Sequence, residues 1–567
     1  MDPTPIATDD LPARRAGASA IRVDLTATGR SGGLGVGAGR WRSPLAMSLL
    51  GVALLWAALP PLDFWPLAWL TPVPWIALAE RRHLSERRPY FQIWLAAFVF
   101  WLAALYWLLL PHWATSLGWL ALSFYLALYL PVFVGLVRVA IHNLRLPVLA
   151  AAPLVYLGLE MARAHLMTGF SMTGLGHSQY RWTALAQIAD LAGVGGIGAV
   201  MVLVAAALAR TLPGEGRKIA WWPLLPAAAV LGLCLGYGHW RLAQQPDRPG
   251  PKVALIQGSI DITMKMDERQ RDPILKQYAD LTAEAVARAK DLDLIVWPET
   301  MFRGPPPWFV FEGDSQPPAA WGVTAREAED FSRAAVRYWT GSFGVPILLG
   351  IDTMRVTPDA TFHYNSALYF DQKSQPKERY DKVHRVMFGE YVPLADWFPW
   401  LYGLTPLPGG LNAGSGPVAM KTTTRAGPVC FGPDICFEST LSHLIRNQVE
   451  TLRRQGAEPD VLVNLTNDGW FWGSSELEMH LACGVFRAIE CRKPLLIAAN
   501  TGISAWIDSG GQVLAQGPKR ATDVIIATPA LDGRRSPYLV VGDWPAGFCL
   551  AFCIGLAWIG WRRRRQR

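Results

Sequence analysis

Apolar runs occur along the whole chain, but their length differs. They are long before residue 240 and mostly short after it. From Ser43, long apolar runs follow one another with short basic gaps, and another such run closes the chain. A transmembrane helix needs about 20 mostly apolar residues, so these runs predict spans. The first two are short, contain prolines and also fit one re-entrant pair. The eight predicted spans are Pro44–Pro60, Leu62–Ala79, Tyr90–Leu110, Leu117–Ile141, Leu146–Met161, Ala192–Leu212, Ala220–His239 and Val541–Trp561.

Between the seventh and eighth runs, the apolar stretches shorten to the length of strands. Amphipathic stretches such as Pro273–Lys290 separate several of them. Continuous apolar strands that alternate with helices indicate an α/β domain whose sheet is covered by helices. The predicted strands include Val253–Ser259, Asp293–Val296, Gly344–Gly350, Asn365–Phe370, Pro428–Phe431 and Asp460–Leu465.

These patterns divide the chain into five parts. Residues 1–42 are rich in Gly, Ala, Thr and Arg without a helical period, which predicts a disordered cytoplasmic tail. A seven-span membrane domain (43–240), the α/β domain (251–537), a C-terminal span (541–561) and a basic cytoplasmic tail (562–567) follow.

Charge and composition favour a membrane over a nucleic acid as the partner of this chain. The net charge is +8, but the arginines cluster at the chain ends and between the apolar runs, and the 26 tryptophans suit membrane interfaces. All these arginine clusters fall on the same side of the membrane only if the chain crosses it eight times. Because basic loops stay in the cytoplasm, residues 251–537 are expected in the periplasm. The clusters lie at 14–42, 81–88, 138–145, 210–218 and 562–565.

Three stretches of the α/β domain carry reactive side chains. Gly427–Ser439 runs from an apolar strand into a turn with Cys436, Leu292–Thr300 ends a strand at Glu299, and Tyr380–Pro393 carries Lys382. A thiol of pKa about 8.5 needs a base or a cation to become a nucleophile. Taken alone, Cys436 is more often a small buried hydrophobe, but the three stretches together predict a catalytic cysteine. The rival thiol, Cys430, lies in mid-strand and is expected in the core.

No metal or cofactor is expected. The seven cysteines show no paired spacing. The histidines lack metal-binding motifs, and no phosphate-binding glycine loop occurs.

The order Trp-Pro-Glu299, Tyr-Asp-Lys382 and Cys436-Phe-Glu resembles the Glu-Lys-Cys triad of the carbon–nitrogen hydrolase (nitrilase) superfamily. The chain is most similar to its membrane-bound branch, the apolipoprotein N-acyltransferases, over residues 44 to 561. The resemblance implies an α-β-β-α sandwich. It also implies that Glu299 is the general base, that Lys382 stabilises the oxyanion and that Cys436 is the nucleophile. Glu390, Phe437 (commonly Tyr in the family) and Glu438 would support them, and Trp297, Trp470 and Phe471 would contact substrate.

The resemblance also implies an activity and a location. An acyl chain from a phospholipid would pass through a thioester on Cys436 to the α-amine of an S-diacylglyceryl-cysteine lipoprotein. The enzyme would be a monomer in the bacterial inner membrane and would need no cofactor. Alternatives are a membrane-tethered amidase that hydrolyses a small C–N substrate and a non-catalytic membrane scaffold.

Three loops have open interpretations. Residues 163–187 are either a polar connector or, as in the family, an active-site loop, although Ser171-Met172 stands where the family has Pro-Trp. The Pro-rich stretch 303–322, with Trp308–Phe311 at its centre, is either a surface insertion or a loop that contacts lipid or gates substrate. Residues 405–416 are a predicted second lid.

Overall fold

A computed structural model describes residues 43–84, 86–213, 218–246, 248–303, 307–395, 397–404 and 409–566. The predicted disordered tail, 1–42, lies outside the described residues. So do residues 304–306 of the Pro-rich stretch and residues 405–408 of the predicted second lid.

Apolar helices form the first part of the described chain and its end. Thr115–Asn143, Ala189–Thr211 and Trp544–Arg565 are each long and apolar enough to cross a membrane, and Pro44–Ala58 and Pro89–Ala104 are shorter apolar helices. This is a membrane protein. The helices before residue 250 are α1 Pro44–Ala58, α2 Pro72–Glu80, α3 Pro89–Ala104, α4 Thr115–Ala127, α5 Tyr129–Asn143, α6 Val148–His165, α7 Thr183–Ala186, α8 Ala189–Thr211 and α9 Leu224–Leu242.

The α/β domain contains two sheets whose central strands are parallel. The first has the order β13-β1-β2-β4-β5-β6, with β3 also paired to β4, and the second has the order β12-β11-β10-β9-β8-β7. The strands are β1 Val253–Gln257, β2 Leu294–Val296, β3 Trp308–Phe311, β4 Ile347–Val356, β5 Thr361–Phe370, β6 Pro376–Asp381, β7 Met420–Thr424, β8 Gly427–Ile435, β9 Val461–Thr466, β10 Leu495–Ala499, β11 Ala505–Ile507, β12 Val513–Gln516 and β13 Asp523–Ala527.

Helices cover the outer face of each sheet. A capping box of Thr324 and Glu327 begins α12, since the two side chains satisfy each other's free backbone N–H groups. The helices of this part are α10 Ile262–Met266, α11 Arg271–Arg288, α12 Ala325–Thr340, α13 Ser442–Arg454, α14 Glu476–Cys491, α15 Pro537–Val541 and α16 Trp544–Arg565.

Strand alternation builds two separate cores in this domain. Val253 and Leu255 of β1 pack between the two sheets, whereas Ala254 and Ile256 pack against the outer helices. Successive side chains of a strand point to opposite faces, so strands buried on both faces read as unbroken apolar runs. The α-β-β-α sandwich expected from the family resemblance is confirmed.

The sandwich and the membrane helices share one hydrophobic core. Every residue of α14 except Glu478 is buried, because one face of α14 covers the second sheet and the other packs against α8. Polar contacts reinforce this junction. The buried carboxylate of Asp190 in α8 accepts hydrogen bonds from Arg241 at 2.8 Å and from Arg492, just after α14, at 2.6 and 2.8 Å.

Candidate active site

Cys436 lies at the carboxyl end of β8, where the strand passes into a short turn, Cys436–Thr440. Its φ angle is +56°, a conformation that non-glycine residues adopt at a cost and that is common at functional sites. Two side chains fix the Cys436 carbonyl. The amide of Asn464 donates to it at 3.1 Å, and Nε2 of His480 lies 3.2 Å from it. The strained turn is therefore held from both sides.

Glu438 joins this turn to the segment that carries Lys382. Its fully buried carboxylate accepts hydrogen bonds from the Ile435 N–H at 2.7 Å and from the Val383 and His384 N–H groups at 2.8 Å. The Tyr380 hydroxyl donates a further bond at 2.8 Å. One carboxylate thus ties the first sheet to the second beside Cys436.

Lys382 is buried between two acids. Its Nζ lies 2.8 Å from Oε1 of Glu390 and 3.5 Å from Oε1 of Glu299. Burial alone would lower the pKa of Lys382, but Glu390, Cys436 and Glu299 together raise it well above its usual value. Lys382 is therefore a fixed positive charge at the site.

Glu299 follows β2 and is held by two donors besides Lys382. The Asn365 amide donates to its Oε1 at 2.6 Å and the Asn467 N–H to its Oε2 at 2.9 Å. Its charge acts on the Cys436 thiol. Burial raises the pKa of Cys436 well above its usual value, Glu299 raises it further and Lys382 opposes them. The resting thiol is thus neutral and needs a proton acceptor before it can attack.

The other side of Cys436 is apolar and is shared with the membrane helices. Phe437 and Phe471 pack on a cluster of Leu105, Trp107, Leu126, Phe170, Met172, Met479 and Cys483. The rings of Trp107 and Phe471 meet edge to face, with centroids 4.9 Å apart. Trp470, beside Phe471, is 38 % exposed. The turn that presents the thiol therefore borders a surface suited to an acyl chain.

The loop after α6 supplies part of this apolar surface. Residues 169–180 are buried throughout, because Arg163 donates to the carbonyl oxygens of Phe170 at 3.0 Å and Met172 at 2.9 Å and holds the loop inward. The interpretation as a polar surface connector is wrong.

Two further expectations are corrected. Trp297 is completely buried against Tyr278 and donates to Thr282 at 2.9 Å, so it is a core residue with no surface for substrate. Trp308–Phe311 is neither a surface insertion nor a lipid-contacting loop. It is strand β3, paired with Thr353–Val356 of β4, and its Trp308 and Phe309 are buried. A group of exposed aromatic residues lies instead at Phe388, Trp397, Phe398 and Trp400.

Cys430 is buried in β8, and its thiol contacts the carbonyl of Ala457 at 3.5 Å. Burial raises the pKa of this thiol to about 11. Its structure is that of the core residue expected from its mid-strand position.

Asn365, Asn464 and His480 were not predicted as site residues, because their roles depend on packing between strands. His480 lies 3.3 Å from Asp468 and 2.8 Å from the Ser439 hydroxyl. Burial would lower the pKa of His480, but Asp468 raises it to about 9. Within the described chain, the ligand atoms of Asp468, Glu476 and His480 lie within 4.8 Å of one another, close enough to hold a metal ion. Both ring nitrogens of His480 already have protein partners. The spacing of Glu476 and His480, four residues apart on one helix face, is the sequence signal for this cluster.

Comparison with known proteins identifies relatives of both halves of the chain. The family profile described as the apolipoprotein N-acyltransferase N-terminal domain matches residues 51–207, and that described as carbon-nitrogen hydrolase matches residues 252–536. The apolipoprotein N-acyltransferase of Rhodopirellula baltica is 31% identical and the alignment covers 93% of this chain and 99% of the relative. That of Geobacter metallireducens is 34% identical over 92% and 96%, and that of Vibrio vulnificus 29% over 93% and 98%.

Proposed function

We propose, since this chain belongs to the apolipoprotein N-acyltransferase family, that Cys436 carries an acyl chain from a phospholipid to a lipoprotein. The chain is an acyltransferase of lipoprotein biosynthesis. The acceptor is the N-terminal α-amine of an S-diacylglyceryl-cysteine lipoprotein, and the donor is the sn-1 ester of a phospholipid.

In the first half-reaction, Glu299 takes the proton of the Cys436 thiol, and the thiolate attacks the ester carbonyl of the phospholipid. The ammonium of Lys382 stabilises the negative oxygen of the tetrahedral intermediate. When the intermediate collapses, the C–O bond of the ester breaks, and Glu299 returns the proton to the departing lysophospholipid. The acyl chain remains on Cys436 as a thioester.

In the second half-reaction, the amine of the lipoprotein attacks the thioester carbonyl. Glu299 accepts a proton from the amine, and Lys382 again stabilises the oxyanion. Collapse of this intermediate breaks the C–S bond and forms the amide, and the sulfur leaves as the thiol after Glu299 protonates it. Water must be kept from the thioester between the two steps.

One observation carries this mechanism: Cys436 lies between a charged side and an apolar side. Glu299, Lys382 and Glu390 occupy the first, and Phe437 and Phe471 join the second to the membrane helices. A membrane-tethered amidase would use the same acid, lysine and cysteine. It would have no use for an apolar surface shared with transmembrane helices, which favours acyl transfer.

The finer topology is also part of the proposal. Eight spans would place all basic clusters in the cytoplasm and residues 251–537 in the periplasm of a bacterial inner membrane. Glu299, Lys382 and Cys436 all come from a single chain, which supports a monomeric enzyme. A reporter that fluoresces only in the cytoplasm, fused after Gly250, should stay dark in cells, and bright cells would contradict the topology.

Intact-mass analysis after incubation with phosphatidylethanolamine tests the activity. The wild-type protein and Cys430→Ala should both gain the mass of one acyl chain, because a mid-strand thiol only packs. Cys436→Ala should gain none. If Cys430→Ala fails to load while Cys436→Ala loads, the assignment of the nucleophile is wrong. If an acyl group forms but is released to water at the same rate with and without a lipoprotein peptide, the protein is a hydrolase and the proposed acyl transfer is wrong.

A further inference from the structure

A cavity of about 290 Å³ with charged residues in its lining opens beside the candidate active site. Arg271, Arg303, Asp352, His363 and Leu411 are among the residues that line it. Asp352 and His363 belong to β4 and β5, so the cavity lies against these two strands of the first sheet. None of the proposed catalytic residues lines this cavity.

The walls of the cavity are continuous with those of the active site. Arg303 lies four residues after Glu299, and His363 lies two residues before Asn365, whose amide binds the Glu299 carboxylate. On the outer side, the N–H of Leu411 donates to the carbonyl of Glu390 at 2.8 Å. Buried Lys265 interacts electrostatically both with Asp352 and Arg303 at the cavity and with Glu299 and Cys436, so the two sites are adjacent.

Positive charge predominates around the cavity. Arg303 forms no ion pair within 4.0 Å with any residue in the described part of the chain, and Arg271 makes only a long one, 3.9 Å, to Glu268. Behind the wall, the amine of buried Lys265 contacts the Thr300 hydroxyl. It also interacts electrostatically with Asp352 and Arg303. Among the residues that line the cavity, the two arginines face one acid, Asp352, which leaves one net positive charge.

Such a cavity suits a phosphodiester. Guanidinium groups bind phosphate oxygens with two parallel hydrogen bonds, and a charge-assisted bond of this kind is about twice as strong as a neutral one. In a glycerophospholipid, the phosphate and the sn-1 ester are attached to the two ends of the same three-carbon glycerol. A nucleophile that attacks the ester therefore needs a place for the phosphate a few ångströms away.

We propose that Arg303 and Arg271 bind the headgroup phosphate of the acyl donor in this cavity while its ester lies at Cys436. This assignment rests on the proposed function. It divides the donor between two surfaces: the acyl chain lies on the apolar cluster and the phosphate lies among the arginines. Arg303 is then a determinant of donor specificity and takes no part in the chemistry.

Two acyl donors separate phosphate binding from catalysis. Acyl loading of Cys436 is followed by intact mass with phosphatidylethanolamine in mixed micelles and with p-nitrophenyl palmitate, an activated ester without phosphate. Arg303→Gln should raise KM for phosphatidylethanolamine about 10- to 100-fold, the effect of losing a charged hydrogen-bonding group, with kcat nearly unchanged. Loading from the nitrophenyl ester should match wild type. Arg303→Lys should retain most of the activity on phosphatidylethanolamine because the charge remains.

A matched control is Arg326→Gln on α12, where the side chain is 92% exposed; it should behave as wild type on both donors. Inorganic phosphate added to the wild-type protein should slow loading from phosphatidylethanolamine and leave the nitrophenyl ester unaffected. If phosphate changes loading from both donors equally, the cavity binds free phosphate as an effector and the proposal is overturned.

The proposal is also overturned if Arg303→Gln loads normally from phosphatidylethanolamine, or if it is equally slow with both donors. A wild-type protein that loads from the nitrophenyl ester but never from phosphatidylethanolamine would instead refute the proposed function, and the headgroup assignment with it. Arg271→Gln provides a second variant should Arg303→Gln fail to fold, and its KM should rise for phosphatidylethanolamine alone.

Discussion

Replacing Glu438 by glutamine tests how strongly the proposed nucleophile, Cys436, depends on the bridge between the two sheets. Oε1 of Glu438 accepts from the Val383 and His384 N–H groups, and Oε2 accepts from Ile435 and Tyr380. A glutamine can keep only one of these oxygens. Placing its carbonyl oxygen at the Oε1 position retains two backbone bonds, and the Tyr380 hydroxyl can rotate to accept from the new NH₂ group.

The Ile435 N–H then has no acceptor and faces another donor. A buried donor without a partner costs about 1–3 kcal/mol. The opposite orientation of the amide leaves two backbone donors, the N–H groups of Val383 and His384, without an acceptor and therefore costs more free energy. Because Ile435 immediately precedes Cys436, the strain falls on the turn that presents the thiol. A cost of about 2 kcal/mol at this turn corresponds to about a 30-fold slower reaction.

The assay is the single-turnover rate of acyl loading on Cys436, measured by intact mass with saturating phosphatidylethanolamine. Glu438→Gln should load about 30-fold more slowly, while its melting temperature falls by about 4 °C or less, since the loss is local. Glu284→Gln, an exposed glutamate paired with Arg288 on α11, is the matched control and should be silent. Wild-type loading by Glu438→Gln would refute the argument that this carboxylate positions the nucleophile.

Three further predictions concern charge, positioning and membrane contact. Burial and the nearby charge of Arg303 lower the pKa of Lys265 to about 8, although Asp352 and Glu299 act in the opposite direction. The ammonium of Lys265 is therefore lost as the pH rises through about 8. KM for phosphatidylglycerol should then increase between about pH 7 and pH 9. The Lys265→Gln variant should have a high KM that does not depend on pH. If the KM of this variant still rises between these pH values, Lys265 does not have the proposed role. His480→Asn removes a donor to the Cys436 carbonyl and should slow single-turnover loading about 10-fold or more without changing KM; an altered KM with normal loading would argue against positioning. Trp397 and Trp400 are 79% and 66% exposed; replacing both by serine should weaken turnover on phospholipid vesicles but leave turnover in detergent micelles unchanged, and equal losses in both would indicate damage to the fold.

The sequence was sufficient for the individual strand ends but not for their spatial arrangement. Glu299 and Cys436 could be recognised as candidate site residues from the sequence. Glu299 follows the apolar run of β2 and a proline, and Cys436 follows the apolar run of β8 at the start of a turn. Lys382 and Glu299 belong to the first sheet and Cys436 to the second, so only the packing of the two sheets brings them together. The family resemblance supplied that packing, since local patterns contain no information about it.

The errors have identifiable physical causes. Strand alternation would have placed Trp297 correctly. It lies two residues after Ile295 and therefore on the same face of the strand, which packs against the outer helices. Prolines on both sides of Trp308–Phe311 concealed a four-residue strand whose partner, β4, lies about 40 residues later. The burial of the loop at 169–180 could not be predicted, because its polar residues are typical of an exposed loop. One arginine of the preceding helix, Arg163, holds the loop inward through hydrogen bonds to its carbonyl oxygens.

The pairing of β13 with β1 has a consequence for the biogenesis of the enzyme. β1 is the first strand of the catalytic domain to leave the ribosome, and β13 is made about 270 residues later. Until then, the edge of β1 is open and can pair with other chains. The first sheet must therefore remain incomplete while almost the whole α/β domain is synthesised, and it is completed only shortly before the final helix, Trp544–Arg565, is made. A nascent chain that stops before residue 523 should expose an aggregation-prone sheet, and quality-control proteases should degrade it even though every proposed catalytic residue has already been translated.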